Sequence, residues 1–155
     1  MEYLVVKWLH ILSATVLFGA GVGSAFHLFA SAMRGRVPGI AGACRNVVLA
    51  DWLLTTPSAI FQPASGFWLV HALGLPWSTP WVAASLVLYA FAIGCWLPVV
   101  WIQLRLRDLA DHAERTGGEL PTAWWRLFRW WVILGVLALV AFLAVFWLMV
   151  ARRFG

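Results

Sequence analysis

The chain has 155 residues, of which 63% are hydrophobic and only 11% are charged. A soluble domain carries roughly a quarter charged residues, and a single soluble core of this size could not bury so much apolar surface. The formal net charge is +5, but the basic residues stand at the ends of apolar segments and not along one exposed face, so no nucleic-acid partner is indicated. The composition predicts an integral membrane protein in contact with the lipid bilayer.

The longest stretch of the chain without Lys, Arg, Asp or Glu runs over 52–104. It is too long for the interior of one soluble helix and predicts two membrane crossings joined by a tight turn. The sequence contains four apolar segments that each exceed the roughly 20 residues needed to cross a bilayer core. They cover approximately 3–32, 47–72, 80–104 and 127–150. We therefore predict an all-α fold, a four-helix integral membrane bundle that forms a single transmembrane domain over 1–155.

Two of the connections between the predicted spans are polar. The first, over 34–45, combines three glycines, one proline and three arginines and predicts a short polar turn. The second polar connection lies between the third and fourth spans. There we expect the third helix to continue over 105–115 until Gly117 and Gly118 end it. Four tryptophans follow directly before an apolar span, which is typical of a belt at the membrane interface. They are Trp124, Trp125, Trp130 and Trp131.

The distribution of basic residues predicts the orientation of the chain. Eight of them flank the two polar connections, namely Arg34, Arg36, Arg45, Arg105, Arg107, Arg115, Arg126 and Arg129. Three flank the opposite span ends, namely Lys7, Arg152 and Arg153. Because basic residues are enriched in cytoplasmic loops, we expect both polar connections in the cytoplasm and both termini on the periplasmic side of a bacterial inner membrane. Arg152 and Arg153 count against this orientation.

The second span carries a stripe of polar residues. They recur at spacings of four, three, four and three, which places them on one helix face. They are Asp51, Thr55, Ser58, Gln62 and Ser65. Such a stripe is expected to face the bundle interior, where it could form the path of a small transporter or metal-handling protein. Pro57 and Pro63 interrupt the same helix, so the hydroxyl groups could equally satisfy carbonyls that the prolines leave unpaired.

Asp51 lies near the predicted cytoplasmic end of the second span. Water, helix-end amides or Arg45 could compensate its charge there. Its role is open between a structural anchor and a functional acid. His27 of the first span lies at a similar depth, so a contact between His27 and Asp51 is one expectation of the fold.

The first span contains Gly19 and Gly23, a Gly-x-x-x-Gly pair that lets another helix approach one face closely. The favoured interpretation is plain helix packing. The alternative is a non-catalytic accessory or scaffold subunit, in which this face docks a membrane protein partner or a second copy of the chain.

Two histidines are candidates for a cofactor site, and the alternative is that each simply hydrogen-bonds to lipid headgroups or to the backbone. His10 lies about two turns into the first span, and His71 lies at the end of the second span that faces the same side of the membrane. Two neutral imidazoles from neighbouring helices are a ligand set for b-type haem, with second-shell groups orienting each ring. We predict a small haem b redox module with His10 and His71 as axial ligands and Gln62 or Asp51 as second-shell or proton-handling groups. No other metal site is predicted, and the span over 132–150, which lacks polar side chains, is expected to supply no ligand.

Five sequence motifs together resemble a bacterial family of predicted integral membrane proteins catalogued as a domain of unknown function. They are Lys-Trp-Leu-His-Ile-Leu-Ser at 7–13, the glycine-rich run at 18–24, Ala-Asp-Trp at 50–52, the segment 62–68 with Gln-Pro and Ser-Gly-Phe-Trp, and Trp-Leu-Pro-Val-Val-Trp at 96–101. The resemblance covers nearly the whole chain and implies a multi-pass membrane protein. It implies no activity.

The Leu-His pair that includes His10 also resembles the first helix of CopD-type copper-resistance proteins and of HemJ-type protoporphyrinogen oxidases. HemJ-type proteins bind haem, so this resemblance implies a haem-ligand role for His10. They also carry a Tyr-Leu-Pro-Arg-like stretch after the first histidine and a lysine in a later helix. This chain has no such stretch and only one lysine, Lys7, so the resemblance does not extend to protoporphyrinogen oxidation.

Overall fold

The computed structural model describes residues 1–151, which form five α-helical segments. They are α1 (Glu2–Arg34), α2 (Val37–Ala50), α3 (Thr56–Ala72), α4 (Pro80–Thr116) and α5 (Thr122–Ala151). A π-helical turn, Asp51–Thr55, joins α2 to α3 without a break. Four helices are long and apolar enough to cross a membrane: α1, the continuous α2–α3 helix, α4 and α5. The predicted all-helical fold with four spans is confirmed in the described part of the chain, and Arg152 and Arg153 lie outside it.

The connection between α1 and α2 is much shorter than the predicted turn over 34–45. Gly35 ends α1 with φ 70°, and its N–H bonds to the carbonyl of Ala32. Only Arg36 separates this glycine from α2, which starts at Val37. Pro38 fits the first turn of α2 because backbone N–H groups have no intrahelical partner there. The glycines and the proline indicated a longer turn, and that prediction was wrong.

The other predicted helix end is confirmed. Helix α4 continues for 37 residues to Thr116, and Gly117 ends it with φ 64°. A helix of this length measures about 55 Å, whereas a bilayer core is about 30 Å thick. Its last turns, which carry Asp108, Asp111 and Glu114, therefore extend beyond the length that a bilayer core covers.

The π-helical turn in the second span has its origin in Pro57. Proline has no N–H to donate, and its ring would collide with the carbonyl four residues earlier in a regular α-helix. The chain widens instead, and the N–H of Thr56 bonds to the carbonyl of Asp51, five residues back. Pro63 lies inside α3, which continues through it. The two prolines thus produce one wide turn and no interruption of the helix.

One end of the bundle, here called the packed end, is close-packed around Trp124 and lies beside the 35–36 turn. Here α2 contacts α1 and α4, and α4 contacts α5. The large, fully buried side chains are Leu28, Ile40, Cys44, Leu106 and Trp124. The indole N–H of Trp124 donates to the carbonyl of Leu106 at 3.1 Å. The packed end therefore joins α1, α2, α4 and α5 in one core.

The four tryptophans near the start of α5 do not form one belt. Trp125 and Trp130 are exposed, as a belt at the membrane interface requires, whereas Trp124 and Trp131 are buried in the core of the packed end. The prediction was correct for two of the four. A helix turns by about 100° per residue, so adjacent tryptophans must point to different sides.

The rest of the bundle, here called the cavity half, is more open. Helix α3 packs on α1 but makes no extensive contact with α4 or α5, and α1 and α5 touch only weakly. Two cavities result, one beside His10 and one beside Asp51. Both cavities are lined mainly by apolar side chains.

Candidate functional site

The polar stripe of the second span is buried, as predicted. Each of its five residues is less than a tenth exposed. The stripe faces two other helices: Gln62 and Ser65 contact α1, and Asp51 contacts α4. The interior of the bundle therefore holds two separate polar clusters.

The first cluster joins His10 of α1 to Gln62 and Ser65 of α3. The Nδ1 atom of His10 lies 2.7 Å from the Ser65 hydroxyl oxygen. The side-chain amide of Gln62 donates to the backbone carbonyl of His10 at 2.9 Å. These two contacts hold both the backbone and the ring of His10 in place against α3.

The hydrogen-bond network assigns the tautomer of His10. The Ser65 hydroxyl is 2.7 Å from the carbonyl of Phe61, to which it donates its single hydrogen. The hydroxyl oxygen can then accept a hydrogen bond, and both contacts are satisfied when the proton of His10 is placed on Nδ1. The Nε2 atom consequently has a free lone pair, and no partner for it is found among the described residues. Gly66 lies beside the same edge of the ring, where an added Cβ atom would be 3.5 Å from Cε1 of His10.

His10 borders a cavity of about 430 Å³, here called the His10 cavity. This volume lies in the range of small-molecule pockets, roughly 300–1,000 Å³. Its lining comes from α1, α3, α4, α5 and the loop before α4, and includes Lys7, Gln62, Trp77, Tyr89, Phe146 and Met149. The cavity is therefore a mostly apolar chamber with a few polar groups on its wall.

The two histidines predicted to share a haem are not brought together. His71 is exposed and does not line the His10 cavity. It follows Ser65 by six residues, and at about 100° per residue this places it on a different face of α3. Met149 of α5 does line the cavity, although a span without polar side chains is expected to supply no ligand. A thioether is a known haem ligand, so the polarity of a side chain does not by itself identify every candidate ligand.

The second cluster lies around Asp51. The indole N–H of Trp96 donates to Oδ1 at 3.1 Å, and the amide of Gln103 donates to Oδ2 at 2.8 Å. Both donors are on α4, seven residues or about two turns apart. Their spacing puts them on one helix face, which is a signal that the sequence contains.

The charged partner expected for Asp51 is engaged elsewhere. Arg45 binds Asp111 at 2.7 Å and Glu114 at 3.0 Å, both on the extension of α4. His27 is exposed, and in the described residues no contact between His27 and Asp51 is found. Neutral donors, and not a cation, therefore surround the carboxyl group.

Asp51 borders a second cavity of about 450 Å³, here called the Asp51 cavity. Leu17, Phe18 and Phe142 line both cavities and so stand between them. Of the two predicted second-shell residues, Gln62 contacts His10 and Asp51 does not. Asp51 belongs to a site of its own.

Gly19 and Gly23 of α1 are exposed. A Cβ atom added at either position would meet no heavy atom within 4 Å. No described helix of this chain packs on these two glycines. Helix packing there stays a prediction, and the packed helix would have to come from another chain. Within residues 1–151, no group of three or more His, Cys, Asp or Glu side chains could hold a metal ion.

Four long apolar helices, a buried polar stripe and two interior cavities define a multi-pass integral membrane protein. The family model described as "Predicted integral membrane protein (DUF2269)" matches residues 4–153, and the chain belongs to this family. The resemblance drawn from the five motifs is thereby confirmed. No curated protein and no solved structure matches the chain, and the likeness of the first helix to CopD-type and HemJ-type proteins stays an expectation.

Proposed function

We propose that this protein binds haem b in the His10 cavity, with Nε2 of His10 as an axial ligand to the iron. The observation that carries the proposal is the buried His10 ring, held at Nδ1 by Ser65 beside a cavity of about 430 Å³. A metal-ligating histidine almost always donates its other ring N–H to a fixed acceptor, which sets the tautomer. A bound haem would supply one-electron redox chemistry.

The lining of the cavity fits a porphyrin in two further respects. Trp77, Phe146 and other apolar side chains give the flat, apolar macrocycle walls to pack on. Lys7 lines the same cavity one turn from the start of the first span, where its ammonium could pair with a propionate at the membrane surface. Haem could therefore lie with its apolar ring in the bundle and its carboxylates near water.

Met149 is a better candidate than His71 for the second axial position. Its side chain borders the His10 cavity, whereas His71 is exposed on another face of α3. Ligation by His71 would require α3 to rotate, which would remove Ser65 and Gln62 from His10. The revised proposal is a His/Met pair in place of the predicted pair of histidines.

We also propose that both termini face the periplasm of a bacterial inner membrane. The support is the excess of arginine at the two polar connections, both of which lie at the packed end. In this orientation Lys7 and the His10 cavity lie toward the periplasmic side. Labelling of single engineered cysteines from outside intact cells tests the orientation: a cysteine at Ser78 should react and one at Glu119 should not.

A visible spectrum of the protein purified from haem-replete cells tests haem binding. We expect a Soret band that shifts on reduction with dithionite. His10→Ala should abolish it, and Met149→Leu should retain haem with a changed reduced spectrum. His27→Ala and His71→Ala are the matched controls, since both residues are exposed and both variants should keep the wild-type spectrum. A colourless wild-type protein that also fails to take up added haemin would contradict the proposal.

A second candidate function, an accessory or scaffold subunit, is favoured by the exposed glycine face of α1. Gly19 and Gly23 have open space where a neighbouring helix could approach. Gly23→Leu should leave the chain folded, because nothing lies within 4 Å of the added side chain's first atom, but should disrupt a complex that co-purifies with the wild type. A wild-type protein that is a monodisperse monomer would exclude this function.

A further inference from the structure

Within residues 1–151, Asp51 has no cationic partner, although its side chain is buried in the membrane-spanning part of the fold. The basic side chains that form ion pairs among the described residues are Arg45 and Arg107, and both pair with carboxylates of the α4 extension. Two neutral donors contact the carboxyl oxygens of Asp51. A charged group inside a membrane is expensive unless it is paired, and an acid kept there is a functional candidate by default.

The Asp51 cavity is open toward the lipid. Its lining includes Gly21, Val22 and Phe26, which are exposed residues of α1, and Gly135 and Val136, which are exposed residues of α5. Because α1 and α5 touch only weakly, the mouth of the cavity lies between these two helices. A molecule dissolved in the bilayer could reach Asp51 by this route without passing through water.

The walls of the Asp51 cavity are rich in aromatic rings. Phe18, Phe29, Trp96, Trp131 and Phe142 all line it. Aromatic faces attract organic cations through their quadrupoles, and the attraction grows when the site excludes water. One carboxyl group among aromatic rings is a poor site for a hard metal ion, which needs six or more oxygen ligands.

We propose that the Asp51 cavity binds a lipophilic organic cation taken up from the bilayer, of the quaternary ammonium or phosphonium class. Asp51 is the counter-ion, held in position by Trp96 and Gln103, and the aromatic walls and apolar lining receive the ligand's substituents. Asp51 is the first residue of the π-helical turn, and turns of this kind often mark functional sites in helices. This site is distinct from the His10 cavity and does not depend on haem binding.

Calorimetric titration of the purified protein with tetraphenylphosphonium, corrected for binding to empty detergent micelles, tests the proposal. We expect saturable binding that weakens on the order of tenfold or more in Asp51→Asn, because the charge pair lies in a low-dielectric site. Asp108→Asn is the matched control, since Asp108 is an exposed acid paired with Arg107. The affinity of Asp108→Asn for tetraphenylphosphonium should equal that of the wild type.

A neutral probe separates charge recognition from simple apolar binding. Triphenylphosphine oxide has a similar shape, no net charge and a strong hydrogen-bond acceptor. The buried indole N–H of Trp131 has no partner among the described residues, so a ligand with an acceptor is the competing class. If the oxide binds as tightly as tetraphenylphosphonium, the cavity selects neutral acceptors and the proposal is wrong.

A second pair of variants keeps the test decisive if Asp51→Asn does not fold. Gly21 lines the cavity mouth and Gly19 does not, while neither has a heavy atom within 4 Å of an added Cβ. Gly21→Leu should block tetraphenylphosphonium binding, whereas Gly19→Leu should leave it unchanged. Binding that does not saturate in the wild type, or equal binding by both leucine variants, would overturn the proposal. His10→Ala should bind the cation normally, so a failure of the haem proposal would not affect this result.

Discussion

The packed end and the cavity half of this bundle are built from different residues for different purposes. At the packed end, large side chains such as Trp124, Leu106 and Leu28 fill the space between four helices, and the ion pairs lie on the surface. In the cavity half, polar groups such as His10 and Asp51 lie inside, α3 makes no extensive contact with α4 or α5, and α1 touches α5 only weakly. The difference indicates that the packed end contributes most of the close packing, whereas the cavity half leaves two interior volumes beside its buried polar groups.

The largest effect on stability is expected at the packed end. Trp124→Ala removes a fully buried indole that stacks on Phe128 and donates to Leu106. Truncation of a buried aromatic residue costs about 3–5 kcal/mol. Thermal unfolding in detergent, followed by circular dichroism, should show a large drop in the midpoint. Trp125→Ala is the control, because Trp125 is the next residue along the helix and its side chain is exposed. Equal drops in both variants would remove the distinction between the two parts of the molecule.

A smaller effect is expected in the cavity half when Ser65 is changed to Ala. The variant loses the acceptor of the His10 Nδ1–H group, and a buried donor left without a partner costs about 1–3 kcal/mol. The freed ring should also broaden the haem spectrum if His10 is the ligand. Ser24→Ala provides the comparison, since the Ser24 hydroxyl donates to the carbonyl of Gly21 in its own helix. A Ser65→Ala midpoint equal to that of Ser24→Ala would mean that the contact with His10 adds no stability.

Substitution by alanine at two glycines should change the free energy of unfolding in opposite directions. Gly35 ends α1 with φ 70°, a conformation that costs an L-residue about 1–2 kcal/mol. Gly66 lies in α3 with room for a Cβ at ordinary contact distance from His10, so Gly66→Ala should stabilise the helix by about 0.5–1 kcal/mol. Urea or thermal unfolding of the two variants measures both values. A stabilising Gly35→Ala would show that the turn beside the packed end tolerates other conformations.

The fold was largely predictable from the sequence because lipid imposes simple rules. Apolar length fixed the number of spans, and the four-three spacing from Asp51 to Ser65 correctly predicted a buried face. Local rules failed at the 34–45 segment, where glycines and a proline suggested a turn but Pro38 could occupy the first turn of a helix. Composition near a helix end does not distinguish a loop from a helix start.

The candidate site was predictable only in part. His10 and Gln62 were identified and do contact each other, but His71 was paired with His10 from depth in the membrane alone. Depth does not give the direction in which a side chain points, and α3 directs His71 away from the cavity. The partners of Asp51 were missed for a related reason, since Trp96 and Gln103 share a face of a helix whose rotation only tertiary packing determines.

The smallest effect is expected on the surface of the packed end. Arg45 binds Asp111 and Glu114, and its side chain is about half exposed. Exposed ion pairs contribute little because water and salt screen them. Arg45→Gln should therefore lower the unfolding midpoint less than Ser65→Ala does, and the difference from wild type should shrink as salt is raised. The stability change in Asp51→Asn should show no such salt dependence, because the hydrogen bonds to Asp51 are buried and come from uncharged donors. A salt-independent loss in Arg45→Gln that exceeds the loss in Ser65→Ala would show that the packed end relies on its surface charges as well as on its core.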